Sequence, residues 1–132
     1  MRIYTPSGWA ILHFINDDQE FYKILGTWWG GFDHRDYWRL SSGSNEINFH
    51  IDKVTGMLIS DQFCGSRYVI SKHGYQRHNA FGRSFIQSLF DSLQSNSKGK
   101  ITLCKLATKH GAVTWPIEVI DEVLTLDEYF AS

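Results

Sequence analysis

From Gly26 to Gly43 the chain reads Gly-Thr-Trp-Trp-Gly-Gly-Phe-Asp-His-Arg-Asp-Tyr-Trp-Arg-Leu-Ser-Ser-Gly, and no other stretch narrows its possible folds as much. Trp28, Trp29 and Trp38, three of the five tryptophans, lie within it. Rings of that size have to be buried or presented to a partner. Gly30 and Gly31 interrupt the aromatic run, and glycine takes positive φ without steric cost. The pattern predicts a strand end, a sharp loop with Gly30 or Gly31 at positive φ, and a new strand. Neighbouring strand residues face opposite ways, so Trp28 and Trp29 cannot both enter one core. One is expected to pack with Trp38, the other to stand exposed as a contact residue.

Strands fit the sequence on either side. The nearly continuous apolar run Gly8–Asn16 reads as a strand, Asp17-Asp18-Gln19 as its turn and Glu20–Thr27 as the return of a hairpin. Tyr37–Ser42 follows, with Trp38 and Leu40 sharing a face. Ile47, Phe49 and Ile51 alternate with Asn48, His50 and Asp52, the clearest period of two in the chain. Further strands are predicted over Met57–Phe63, Arg67–Ser71 and Lys100–Leu106. Asn79 is positioned to cap a helix over Ala80–Ser95, where Phe81, Phe85 and Leu89 recur every fourth residue and Ile86 widens the stripe. Gly82 costs that first turn about 1 kcal/mol. Pro116 confines any strand over 113–119 to an edge. Thr125 and Glu128 form a capping box that suggests a short terminal helix. The expected fold is α+β: an antiparallel, twisted meander of six to eight strands with one main helix packed on it. At 132 residues the chain is expected to form a single domain, residues 1–132.

The net charge of −1 is unevenly distributed. Residues 67–110 carry eight basic side chains and one acid, Asp91, whereas residues 111–132 carry five acids and no base. Either the acidic end folds back over the basic block or the block meets a partner. No run approaches the roughly 18 apolar residues of a membrane span. No leader-like pattern opens the chain, which points to the cytoplasm and to reduced cysteines. Cys64 and Cys104 read as two small buried hydrophobes.

Catalytic patterns are sparse. Six histidines occur, but no pair has the helical spacing of a metal site, and neither a metal nor a cofactor is expected. His73 and His78 flank a loop, where ligands could gather with Asp33 or Asp36. Cys64-Gly-Ser66 with His73 is the one nucleophile-like grouping, and makes a small hydrolase the third reading. Arg67, Lys72, Arg77 and Arg83 alternate with Tyr68, Tyr75 and Phe81, an arrangement that grips phosphate and stacks bases in nucleic-acid binders. The overall pI of about 6.6 counts against that reading.

The runs Trp28-Trp-Gly-Gly-Phe32, Asp36-Tyr-Trp-Arg-Leu-Ser-Ser-Gly43 and Gly65-Ser-Arg-Tyr68 resemble a family of small orphan proteins of phages, prophages and bacteria. Its pattern is W-x-G-G-Y, D-x-W-R-x-x-S-G and G-S-x-Y, with Phe32 here in the place of Tyr. The resemblance covers about residues 20–75. It implies a mobile-element origin and carries over no catalytic residue. Small phage orphans often inhibit host machinery, so the leading expectation is a non-catalytic protein-binding module that inhibits a host defence complex such as CRISPR–Cas. A nucleic-acid-binding module is the alternative. The expected partner surface comprises Trp28, Trp29, Phe32, Arg35, Arg67, Lys72, Arg77 and Arg83, acting in the host cytoplasm. The sequence sets no oligomeric state.

Overall fold

The apolar run Gly8–Asn16 has large side chains on both of its alternating faces, so it needs a cover on each side. The computed structural model supplies both. It describes residues 1–16, 19–30, 37–45, 49–74, 77–95, 100–106, 108–109, 112–113 and 119–122. In chain order the elements are β1 (Ile3–Tyr4), β2 (Gly8–Asn16), β3 (Gln19–Trp28), β4 (Tyr37–Leu40), β5 (Phe49–Ile51), β6 (Leu58–Asp61) and β7 (Arg67–Ile70). A 3₁₀ turn (Lys72–Gly74) leads to α1 (Ala80–Ser95), followed by β8 (Lys100–Leu106), β9 (Thr108–Lys109), β10 (Ala112–Val113) and β11 (Val119–Glu122).

The α+β class is borne out, with the strands divided between two main sheets. One is antiparallel, in the order β11-β8-β2-β3-β4; the other runs β1-β7-β6-β5. β9 and β10 form a separate antiparallel pair. The runs β2-β3-β4 and β5-β6-β7 are meanders, as the alternation predicts, but the strands do not continue in order across one sheet. β1 joins β7 in parallel, Ile3 opposite Arg67 and Tyr4 opposite Tyr68. After α1 the chain returns to the middle, where β8 pairs with β2.

Burial explains the division. Trp9, Ile11 and Ile24 face the second sheet and meet Leu58, Tyr68 and Ile70. Ala10, Leu12 and Leu25 face α1 and meet Ile86, with Phe85 and Leu89 packed alongside. A single sheet backed by one helix would leave Trp9 and Ile11 in water; a strand covered on both faces reads as an unbroken apolar run. Ile11 and Leu12 are each at most 1% exposed.

α1 spans the residues expected of it, and Gly82 has a packing role. A Cβ there would stand 2.3 Å from Thr27 Cγ2, so the missing side chain lets the helix approach β3. Positive φ occurs at Gly43, Gly56 and Gly65, each in a connection between strands. Gly31 and the terminal capping box lie outside the described residues. β11 returns antiparallel to β8, with Ile120 opposite Lys105, so part of the acidic end lies beside part of the basic block.

Candidate functional site

The end of β3 and the whole of β4 form the edge of the five-stranded sheet. Pairing sets Trp28 opposite Tyr37, Thr27 opposite Trp38 and Gly26 opposite Arg39. Alternation then turns Trp28, Tyr37 and Arg39 toward one face and Trp38 toward α1. Trp28 stacks on Tyr37 at 4.8 Å, meets Tyr4 edge-on at 6.3 Å, and donates its indole N–H to Thr5 O at 3.0 Å. Trp38 stacks on Phe85 of the helix at 4.0 Å. The expectation that one of the paired tryptophans packs with Trp38 is therefore corrected: register puts Trp28 and Trp38 on opposite faces. Trp29 is the exposed member of the pair.

Four large aromatics stay exposed around this edge: Trp29 at 55%, Tyr37 at 51%, Trp38 at 39% and Phe81 at 56%. Phe81 lies one turn before Phe85, on the same side of α1, so it continues the surface past Trp38.

Asn79 holds the edge against the helix. Its Oδ1 accepts from Gly82 N–H at 2.8 Å, an N-cap bond. Its Nδ2 donates to Trp28 O at 2.9 Å and to Tyr37 O at 3.0 Å. The side chain is fully buried, and both ends of its amide are used. Thr27 Oγ1 donates to Arg77 O at 3.3 Å, which brings the segment before the helix alongside β3.

Beneath the edge, two guanidinium groups converge on one phenol. Arg39 Cζ stands 4.5 Å from the Tyr4 ring centroid, and Arg2 Nη1 donates to Tyr4 Oη at 3.3 Å. The Tyr4 ring lies 5.1 Å from that of Tyr68. Tyr68 is fully buried, and its hydroxyl has no hydrogen-bond partner among the described residues. Burial pushes its pKa up to about 12, with the nearby Arg39 pulling in the other direction.

Of the expected surface, the structure gathers Trp28, Trp29, Arg77 and Arg83 around the β3–β4 end and the start of α1. Arg77 and Arg83 are both exposed. Arg67 is separate: its guanidinium is forked onto Asp61 at 2.7 and 3.3 Å. Lys72 lies in the 3₁₀ turn. Phe32 and Arg35 lie outside the described residues, as do Asp33, Asp36 and Tyr75. Tyr37, Trp38, Phe81 and Arg39 are surface residues that sequence periodicity does not single out.

The nucleophile-like grouping takes a different form from the one expected. Cys64 is exposed, contrary to the buried reading, because it sits in the turn that Gly65 makes at φ 85°. Its Sγ lies 3.0 Å from Ser66 Oγ, and its N–H donates to Ser42 Oγ at 3.0 Å. Hydrogen bonding from Ser42 and then Ser66 brings the thiol pKa down to about 7. Among the described residues no imidazole or carboxylate bonds this thiol. His13 is buried, stacked on Tyr22 at 4.4 Å, with Nε2 2.6 Å from Glu20 Oε1. His78 is buried too, and burial, followed by the charge of Arg83, lowers its pKa to about 4. No group of three metal-ligating side chains occurs among the described residues. A groove of about 400 Å³ lined by Gln19, Glu20, Phe21, Asn45 and Phe63 lies toward the opposite end of β3. No described helix is long and apolar enough to cross a membrane.

No family model, no curated protein and no solved structure matches the chain.

Proposed function

We propose that this chain is a non-catalytic protein-binding module that docks through its aromatic edge and acts as a phage-type inhibitor of a host defence complex such as CRISPR–Cas. The gathering of Trp29, Tyr37, Trp38 and Phe81 on one edge carries the binding part of this reading. Exposed tryptophan and tyrosine clusters are the usual anchors of protein interfaces. The inhibitor part rests on the resemblance to phage orphans. The described parts of its motif segments meet at Trp28, which stacks on Tyr37 and packs against the core cluster that holds Tyr68. Pull-down from a bacterial lysate tests the binding part. A protein retained after nuclease treatment and lost with Trp29→Ala plus Tyr37→Ala is expected; identical capture by the double variant refutes it. Expression in cells with active CRISPR–Cas immunity tests the inhibitor part: recovered phage plaquing supports it, and unchanged immunity counts against it.

Nucleic-acid binding is the second reading, and it rests on the placement of Arg77 and Arg83. Both are exposed near the aromatic edge, and the first turn of α1 has no acid to repel phosphate. Capture that disappears on nuclease treatment would promote it to first.

A further inference from the structure

The backbone of β4 offers an open edge. Ser41 N–H donates to Ile24 O at 2.9 Å, so within β4 the main-chain groups of Tyr37 and Arg39 point toward β3. Alternation turns the N–H and C=O groups of Trp38 and Leu40 outward, where no described residue bonds them. A strand laid against this edge would send its side chains alternately to the two faces of the sheet. The faces differ in chemistry. On one, Trp38 and Phe81 present bare aromatic surface. On the other, Arg39 and Arg2 meet at Tyr4.

Among the described residues the charged face has no counter-ion. Elsewhere in the described structure, Arg67 has Asp61 and His13 has Glu20. Among the described residues, Arg2 and Arg39 contact phenol groups and no carboxylate. A carboxylate arriving beside Arg39 supplies the counter-charge, and planar guanidinium groups favour that ligand.

We propose that the partner is an extended acidic segment that adds to β4 as a further strand, hydrogen-bonding Trp38 and Leu40, with its carboxylates toward Arg39 and Arg2 and its alternate apolar side chains on Trp38 and Phe81. This deepens the protein-binding reading and rests on it. Strand addition of this kind draws affinity from the main chain and specificity from alternate side chains.

The probe is a blocked peptide of alternating glutamate and leucine, titrated by calorimetry and tryptophan fluorescence. Saturable binding is expected, weakened about tenfold or more when lysine replaces glutamate, a loss equal to one good charged contact. Arg39→Gln should weaken the glutamate peptide by a similar factor, with the fold checked by circular dichroism. Methylating alternate peptide nitrogens should abolish binding, because the edge hydrogen bonds go. Equal affinity for the lysine peptide, or an unchanged constant with Arg39→Gln, overturns the proposal. So does a tenfold or greater gain with Asp33→Asn plus Asp36→Asn, which would show the seat filled from within this chain. If the pull-down partner depends on Trp29 and Tyr37 while the glutamate peptide does not bind, the acidic strand fails and the protein-binding reading stands.

Discussion

Replacing Asn79 by aspartate exchanges one NH₂ group for oxygen and leaves the shape unchanged. The Oδ1 bond to Gly82 N–H survives, and the new charge sits at a helix N-terminus, which favours it by about 0.3–1 kcal/mol. Against that gain, the donations to Trp28 O and Tyr37 O are lost, at about 1 kcal/mol each. A carboxylate oxygen then faces two carbonyl oxygens in a site with no solvent exposure, adding about 1–3 kcal/mol. The net expectation at neutral pH is a loss of about 2–5 kcal/mol, read from urea unfolding midpoints with an unchanged slope. The new carboxyl has a folded pKa above the ordinary value near 3.9, because burial and the carbonyl dipoles oppose its charge. The native state therefore binds the proton more tightly than the unfolded chain. The penalty is fully present above the folded pKa and shrinks as pH falls through it toward 4. Asn79→Ser, which keeps a cap oxygen and loses both donations, should lie between wild type and the Asn79→Asp variant. If Asn79→Asp at pH 7 unfolds within about 0.5 kcal/mol of wild type, the bridging role of the amide is wrong.

Three further predictions concern other parts of the molecule. Gly82→Ala should destabilise by about 1–3 kcal/mol despite the better helix propensity, because the added Cβ meets Thr27 Cγ2; Thr27→Ser in the same chain should recover most of the loss in urea unfolding. His78 has its folded pKa lowered to about 4, below an unfolded value near 6.5, so its contribution is complete above 6.5 and is lost as pH falls from 6.5 to 4; the ceiling is about 3 kcal/mol, and His78→Gln should flatten that part of the stability profile. Alkylation of Cys64 by iodoacetamide should show a midpoint near pH 7, moved upward by Ser66→Ala and by Ser42→Ala; a midpoint above 8.5 in the wild type would contradict the hydroxyl contacts.

Local pattern carried the elements and left their arrangement open. The β2–β3 hairpin, β8, α1 and the Asn79 cap follow from residues close in sequence, where period and capping chemistry act directly. The division into two sheets depends on which faces of β2 need cover, and the clue was its unbroken apolar run. The parallel pairing of β1 with β7 and the insertion of β8 beside β2 join segments far apart in the chain, and no local signal encodes them. At the site, alternation required one of Trp28 and Trp29 to be exposed, but only the β3–β4 register showed which ring sits with which. Trp38 and Phe81 look like core residues by periodicity, yet both are exposed, Trp38 on the edge strand β4 and Phe81 in the first turn of α1. The cluster of Arg2, Arg39, Tyr4 and Tyr68 combines three separate segments and was not legible at all.

The position of β8 has a consequence for synthesis. β2 is complete once residue 16 has emerged, and β3 can cover one of its edges at once; its other edge waits for residues 100–106. At about 5–20 residues per second that interval lasts on the order of 5–20 s, during which the most apolar strand has one side unpaired. Nascent chains stalled before residue 100 should therefore be recruited by holdase chaperones or aggregate, whereas chains released beyond residue 106 should not. The order of the strands, more than their composition, makes the final third of the chain the step that renders the first third safe.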